Sequence, residues 1–306
     1  MPNAPASLLY LENVYKYYGP KIVLENIALA ATQRTFCSVV GPSGCGKSTL
    51  FRLILGEEPQ SSGVIAIDGA EVIAPGTDRG IVYQRYSLYP HLSVLENVML
   101  GRNLRTGFAE RLKRRAEFRD EAMKFLQRVR LAEHAQKFPH ELSGGMQQRV
   151  AIAQALITNP KILMMDEPFG ALDPETREAM QVFLLELWEE HRMTIFFVTH
   201  DMEEAVFLGT RVLVLSQYYT DDRGDDPAVR RGSRIVGDYL LPSAVNSTKV
   251  KTSAQFLALT EEIRQVGFNS EHLRHIDNFN MTHPDSFRTL TPEESNRVRR
   301  LGEDTQ

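Results

Sequence analysis

Hydrophobic and polar positions divide the first part of the chain into short strands. Residues 8–14 alternate, Gly19 and Pro20 turn the chain, and 22–30 resume an apolar run. Residues 36–40 are almost continuously apolar and lead through a glycine-rich turn into the helical spacing of 50–55. Residues 63–69 read as a strand closed by a turn, and 79–83 as a buried strand ending at Gln84. From about 93 to 159 the period becomes helical, and Ser93 followed three residues later by Glu96 has the spacing of a capping box. A helical subdomain is therefore predicted at this point. Residues 161–165 and 193–198 are almost wholly apolar runs on either side of a helical stretch at 174–191. Continuous apolar strands alternating with helices predict a parallel sheet covered on both faces. A further strand is predicted at 211–216, then a charged, glycine-containing mobile hairpin over 217–234 before the apolar pattern of 235–241. Beyond 242 one amphipathic helix is predicted, at 253–266, and the polar end of the chain is expected to be partly disordered.

With 306 residues and 42% hydrophobic content the chain can bury one large α/β domain and a smaller appendage. The 35 Lys and Arg against 39 Asp and Glu give a net charge of −4, which argues against nucleic acid or an anionic membrane as the main partner. Locally, ten Lys and Arg against four acids between Arg102 and Arg130 leave a positive excess, open to two readings: a solvated helix face, or a docking surface for lipid head groups or a partner. The two cysteines, Cys37 and Cys45, lie at or beside the glycine-rich turn, where a disulfide would lock it, so a reducing compartment is expected. The first residues lack the charged and apolar segments of a secretion signal, and no run approaches the ~18 apolar residues of a membrane span. Any membrane role must come through partners.

The glycine-rich turn is Gly41-Pro-Ser-Gly-Cys-Gly-Lys-Ser-Thr49. Strand, glycine turn and helix start in that order make a phosphate-binding P-loop, in which Gly41, Gly44 and Gly46 let successive backbone N–H groups face one anion, and Pro42, Ser43 and Cys45 complete the loop that wraps the nucleotide. Lys47 is then expected to reach the β- and γ-phosphates of a nucleotide, Ser48 to be a ligand of Mg²⁺, and Thr49 to bond the α-phosphate. Downstream, residues 162–167 form a buried strand ending in two carboxylates. Asp166 is placed to hold Mg²⁺ through its water shell, and Glu167 to meet an attacking water. Ser143, Gly144 and Gly145 open a helix expected at 147–159 and offer a second anion site; a simple helix cap would look the same.

Gly41–Thr49, Gln84, the stretch 142–149, the stretch 162–167, Asp173 and His200 occur in the order and spacing of the ABC transporter nucleotide-binding subunits, which the chain resembles over about residues 8–216. The resemblance implies an ABC ATPase fold: an α/β P-loop NTPase core with a mixed sheet, an antiparallel β subdomain and the inserted helical subdomain. It implies that Gln84 senses Mg²⁺ and the attacking water, that Asp173 organises a dimer interface, and that His200 contacts the γ-phosphate. It also places at Tyr18 an aromatic ring that stacks on adenine, with Tyr17 as a rival. The stretch 85–92, with exposed aromatics, looks like a groove for a coupling helix of a membrane subunit, though packing between subdomains would use the same residues.

The motifs are most similar to the importer subfamily that handles nitrate, taurine and alkanesulfonates. This resemblance implies an ATP-hydrolysing subunit of an ABC importer. It would work as a head-to-tail dimer on ATP and Mg²⁺, peripheral at the cytoplasmic face of the cell membrane. Its partners would be transmembrane permease subunits, a second cassette and, indirectly, a solute-binding protein, with no nucleic acid. A soluble ABC ATPase acting on nucleic acid or ribosomes is the alternative. The expected domains are the cassette, 8–241, with its helical part at about 93–159, and an extension, 242–306.

Overall fold

The structure, a computed structural model, describes residues 7–84, 88–103, 107–191, 193–224, 229–241, 251–271, 273–291 and 294–295. By internal contacts the chain forms two compact units, one of residues 1–75 and 198–306, the other of 76–197. The first unit begins with strands β1 (Leu9–Tyr18), β2 (Lys21–Ala31) and β3 (Phe36–Val40), then helix α1 (Lys47–Leu55) and strands β4 (Ser62–Ile67) and β5 (Ala70–Glu71). The second runs through β6 (Arg79–Val82), α2 (Val94–Asn103), α3 (Phe108–Lys113), α4 (Arg115–Arg128), α5 (Gly144–Leu156), β7 (Ile162–Asp166), α6 (Pro174–His191) and β8 (Thr194–Val198). The chain returns to the first unit as α7 (Met202–Leu208), β9 (Arg211–Ser216), β10 (Tyr219–Thr220), β11 (Arg234–Leu240), α8 (Ala254–Phe268), β12 (Arg274–His275) and β13 (Asn280–Met281).

In the first unit β2, β1, β4 and β5 form an antiparallel sheet. The turn at Gly19 brings Tyr18 opposite Lys21 and sets a register that runs back to Leu9 opposite Ala31. Beside it β3 and β9 pair in parallel, β11 adds antiparallel to β9, and β13 adds in parallel to β11. Every residue of β3 and of β9 is buried, which is why their sequences are mostly apolar and do not alternate, and the polar Ser38, Arg211 and Ser216 in them each find hydrogen-bond partners. Val212, Val214, Val236 and Tyr239 share one core with Ile263 and Val266 of α8, so the helix of the C-terminal extension is part of this unit's interior.

One charged pair ties these layers together. Arg211 is fully buried and donates from Nε and Nη2 to both carboxylate oxygens of Asp238, at 2.7 and 2.5 Å, and from Nη1 to the Ala30 carbonyl at 2.5 Å. Asp238 also accepts from the Ser286 hydroxyl at 2.5 Å, and its backbone carbonyl accepts from Thr282 N at 2.9 Å and His283 N at 3.1 Å. From there the extension crosses β1 and β2 as a strap. Phe287 stacks on Tyr10 with centroids 5.3 Å apart, Thr289 exchanges two hydrogen bonds with Asn26 at 2.8 and 2.9 Å, and Glu294 accepts from Arg234 at 3.0 Å.

The segment after β9 departs from the expected mobile hairpin. Tyr219 is 1% exposed, Asp221 is buried and accepts from Arg223 and Arg231, and β10 pairs in parallel with β12. A large aromatic and a satisfied buried carboxylate fix this stretch, and only 225–228 lie outside the described residues. The strap is likewise ordered by specific contacts where weak periodicity gave no sign of structure; the chain end from 296 lies outside the described residues.

In the second unit β6 and β7 are parallel neighbours and β7 lies between β6 and β8. The capping box forms: Ser93 N donates to Glu96 Oε2 at 2.9 Å and Glu96 N to Ser93 Oγ at 3.3 Å. Asn97, fully buried, donates to the carbonyls of Tyr89, Leu92 and Ser93 and so fixes the loop that precedes α2; residues 85–87 of the aromatic stretch lie outside the described residues. Among the described residues, four of the ten basic residues of the run pair with acids of the same unit, Arg102 with Glu121, Arg114 with Glu110 and Glu117, Arg128 with Glu190 and Arg130 with Glu186. Arginines spent on neighbouring acids favour the solvated face over a docking surface.

Removing one partner of a buried ion pair leaves the other charge uncompensated. Arg211→Met is expected to lower stability by ~3–5 kcal/mol in urea unfolding, and Arg211→Met with Asp238→Leu to recover much of that loss. A single variant as stable as the parent would mean that the pair does not carry the layers together.

Candidate functional site

The loop between β3 and α1 is shaped by close backbone packing. A Cβ on Gly41 would lie 2.0 Å from the Leu215 carbonyl oxygen, so only glycine lets β3 turn here. Gly46 is the N-cap of α1 at φ +98, where a Cβ would also press on Val23 and Leu24 at 2.9 Å. No side chain caps the first turn of α1 and no acid lies in it, so its N–H groups are unclaimed by side chains and the positive end of its dipole is uncompensated. Lys47, buried at 7% exposure, folds its ammonium back onto the carbonyls of Gly41 and Pro42 at 2.7 and 3.0 Å. A buried ammonium held by loop carbonyls beside an uncapped helix start fits a phosphate chain. Ser43, Gly44 and Ser48 are exposed, whereas Thr49 and Cys45 are buried. Burial raises the thiol pKa of Cys45 above the ordinary value, and that of Cys37 to about 12.

Two further predicted residues lie in the same unit. Thr199 N donates to the Val39 carbonyl at 3.2 Å, which brings the exposed His200 to the end of β3, next to Gly41. Thr199 Oγ1 donates to the buried Glu204 at 2.6 Å and Asp201 caps α7 through Glu204 N at 3.1 Å, so the backbone on both sides of His200 is fixed. Tyr18 and Tyr17 are equally exposed, at 42% and 41%. They differ in what they face. The Tyr18 hydroxyl bonds to Glu58 and also lies against Thr49 of α1, while Tyr17 stacks on Tyr15 at 6.0 Å and looks toward Glu25. Tyr18 is thus the tyrosine on the P-loop side.

The second unit gathers the others. Asp166 ends β7, and Glu167 follows in a left-handed backbone at φ +46, a conformation that costs a non-glycine residue about 1–3 kcal/mol. The turn is closed by Gly170 N donating to the Glu167 carbonyl at 3.1 Å and anchored by the buried Phe169 packed on Phe197. A Cβ on Gly170 would sit 3.1 Å from Gln84 Nε2, so the exposed Gln84 lies against this same turn. Asp173 caps α6, accepting from Thr176 N at 3.0 Å, and that bond holds its carboxyl below the ordinary carboxylate pKa.

Ser143 caps α5 through Met146 N at 3.4 Å, so the helix opens at Gly144, three residues before the predicted start. Gly144 and Gly145 are therefore its first turn. A Cβ on Gly145 would come within 2.6 Å of the Thr176 methyl, so this glycine brings the Ser143 turn against the start of α6 that Asp173 caps. That packing role was not legible in Ser-Gly-Gly. Nor did the sequence single out Lys16, Arg52 and Glu58 around Tyr18; the only signal was Lys16 standing two residues before Tyr18, a strand's same-face spacing.

The ABC transporter family model matches residues 24–170. The taurine import ATP-binding protein TauB of Rhizobium johnstonii is 46% identical over 84% of this chain and 94% of its own length. The chain belongs to the ABC transporter family. A nitrate import ATP-binding protein of Synechocystis is 47% identical over 65% of the chain and 72% of its own. Among solved structures, a dimeric ATP-binding cassette in a post-hydrolysis state, bound to ADP and Pi, is 35% identical with a TM-score of 0.57 over 67% of this chain and 93% of its own. Another, cbiO1 of Clostridium perfringens, part of the ABC transporter complex cbiONQ, is 28% identical with a TM-score of 0.61, covering 69% of this chain and 85% of its own. The chain is an ABC ATPase, with the fold of these cassettes.

The environment of Cys45 sets its reactivity. A buried thiol with a raised pKa carries little thiolate at pH 7, and more as pH rises toward that pKa. N-ethylmaleimide should therefore modify Cys45 of the native protein at least ~10-fold more slowly than free cysteine at pH 7, with the rate climbing with pH, as followed by intact-mass spectrometry. Labelling at the free-cysteine rate would show that the loop opens readily.

Proposed function

We propose that the chain drives uptake of a small solute of the nitrate, taurine or alkanesulfonate kind, as the paired ATPase of an importer at the cytoplasmic face of the cell membrane. The cassette is residues 8–241, with the helical subdomain at about 93–159, and 242–306 is its extension. Transmembrane permease subunits are its direct partners and a solute-binding protein an indirect one. Among the described residues no helix is long and apolar enough to cross a membrane, so attachment falls to those subunits.

Lys47 carries the catalytic half of this reading. It is buried, its partners are neutral carbonyls, and it stands at an uncapped helix start, so its charge is available to phosphate oxygens. The backbone N–H groups of the glycine-rich loop, with Lys47, Ser48 and Thr49, bind the phosphates, and Tyr18 takes the adenine. His200, fixed at the end of β3, meets the γ-phosphate. Glu167 accepts a proton from the attacking water, and Gln84, laid on the same turn, orients that water.

Among the described residues no cluster of three or more His, Cys, Asp and Glu side chains is placed to hold a metal by itself. Ser48 and Gln84, with Asp166 acting through the water shell, would supply the hard oxygen donors that suit Mg²⁺, which keeps several waters and usually needs only one or two carboxylates beside substrate phosphates. When bound, the ion neutralises charge on the β- and γ-phosphates. In the pair, Ser143, Gly144 and Gly145 of one copy close over the γ-phosphate held by the other, and Asp173 lies at the interface.

Binding and chemistry should then separate. Glu167→Gln keeps the size of the side chain and removes its charge, so hydrolysis should fall by ~10²-fold or more while ATP affinity is retained. With turnover blocked, ATP should shift this variant from monomer to dimer in size-exclusion chromatography, and adding Ser143→Arg should abolish the shift. Parent-rate hydrolysis by Glu167→Gln would remove Glu167 from the chemistry. A dimer indifferent to ATP or to Ser143→Arg would rule out the head-to-tail pair as the state that nucleotide creates.

A further inference from the structure

We propose that Glu58, clamped between Lys16 and Arg52, is the positioning residue that fixes the Tyr18 ring as a preset platform for adenine, in one piece with the phosphate-binding turn. This rests on Tyr18 being the ring that takes the base. The Tyr18 hydroxyl donates to Glu58 Oε2, and Arg52 Nη1 donates to Glu58 Oε1 at 2.6 Å. Lys16 Nζ lies 3.2 Å from Glu58 Oε2 and is itself held by the Pro59 carbonyl at 2.8 Å. Both carboxylate oxygens of Glu58 are thus engaged, and one of them holds the ring by its far end.

The network has a second anchor in the helix that grips the phosphates. Arg52 Nε donates to the Ser48 carbonyl and Nη2 to Thr49 Oγ1, each at 3.4 Å. Ser48 and Thr49 are the residues that follow Lys47, so Tyr18, Glu58, Arg52 and the first turn of α1 form one continuous chain of contacts. The span from base platform to phosphate cradle is set before nucleotide arrives.

Lys16 also decides which side of the ring is free. Its ammonium lies 4.9 Å from the Tyr18 ring centroid, so it covers one face with a cation–π contact. The opposite face is left for a planar base. Without the clamp a tyrosine 42% exposed would sample several rotamers and would have to be ordered at the moment of binding. The carboxyl of Glu58 is held below the ordinary carboxylate pKa, first by the Tyr18 hydroxyl, so it stays ionised as an acceptor throughout the neutral range.

The test compares ATP with tripolyphosphate, which has no base, by calorimetric titration of the full chain with Mg²⁺ present. Tyr18→Phe keeps the ring and removes only the hydroxyl. Tyr18→Phe and Glu58→Ala should each weaken ATP binding ~3–10-fold, and the double variant should be no weaker than either single one, because both break the same bond. Tripolyphosphate binding should stay within about twofold, and in steady state KM for ATP should rise with kcat nearly unchanged. Glu58→Gln, which can still accept from the hydroxyl, should recover part of the loss. Tyr18 is exposed and Glu58 partly so, and melting curves should stay close to the parent's, since Lys16 keeps its bond to the Pro59 carbonyl when Glu58 is removed.

Three results would overturn the clamp: unchanged ATP affinity in Tyr18→Phe and Glu58→Ala, additive losses in the double variant, or an equal loss of tripolyphosphate binding. Tyr18→Ala separates the two levels of inference. If it leaves ATP binding intact, Tyr18 is not the adenine platform at all; if it weakens binding while Tyr18→Phe and Glu58→Ala do not, the ring matters and its clamp does not.

Discussion

The buried pair of Arg211 and Asp238 is the constraint on which the first unit depends. Two charges removed from water are tolerated only when each hydrogen-bonding group finds a partner. Here the guanidinium meets both oxygens of Asp238 and the Ala30 carbonyl, and Asp238 receives Ser286 as well. The pair and its partners come from β2, β9, β11 and the C-terminal strap, so satisfying both charges requires four separate pieces of chain to be in register. The antiparallel sheet that bears Tyr18 and the parallel strands that carry the P-loop are thereby fixed to each other within that unit.

Much of the chemistry rests on backbone more than on side chains. At the P-loop the proposed anion site is an uncapped helix start, and the buried Lys47 beside it is parked on carbonyls of its own loop. Glu167, the carboxylate proposed to meet the attacking water, shows the complementary case of a side chain on strained backbone at φ +46, held by the Gly170 bond and the buried Phe169. Strain of this kind persists where surrounding packing leaves no alternative, and it aims the carboxylate away from the direction a simple strand continuation would give it.

Where the information was local, the sequence carried it. The P-loop depends on nine consecutive residues, the Ser93 and Glu96 box on a spacing of three, and the helix α6 on its own period; all could be read directly. The burial of β3, β7 and β9 was nearly as plain in their mostly apolar runs, which do not alternate. What escaped was pairing between residues far apart. Tyr219 and Asp221 sit in a stretch whose charge and glycines suggested motion, and its distant partners are visible only once the chain is folded: β10 pairs with β12, and Arg223, which holds Asp221, also donates to Glu25, 198 residues away. The choice between Tyr17 and Tyr18 was open for the same reason, since it depends on which ring faces Thr49 and Glu58. Gly145 looked like part of an anion site, and its contact with Thr176 belongs to packing between two helices.

The strap also bears on when the protein can be finished. Asn26 waits for Thr289, a partner 263 residues later in the chain, and Tyr10 waits for Phe287. During synthesis the P-loop and the strands around it leave the ribosome long before the segment that covers β1 and β2. The edge of β2 and the flat ring of Tyr10 stay bare through that interval, open to pairing with other nascent chains. Closing so long a loop is also slow. A message cut short near its end would therefore yield a chain with every nucleotide-binding motif present and its first sheet uncovered, prone to aggregate although no functional residue has been lost.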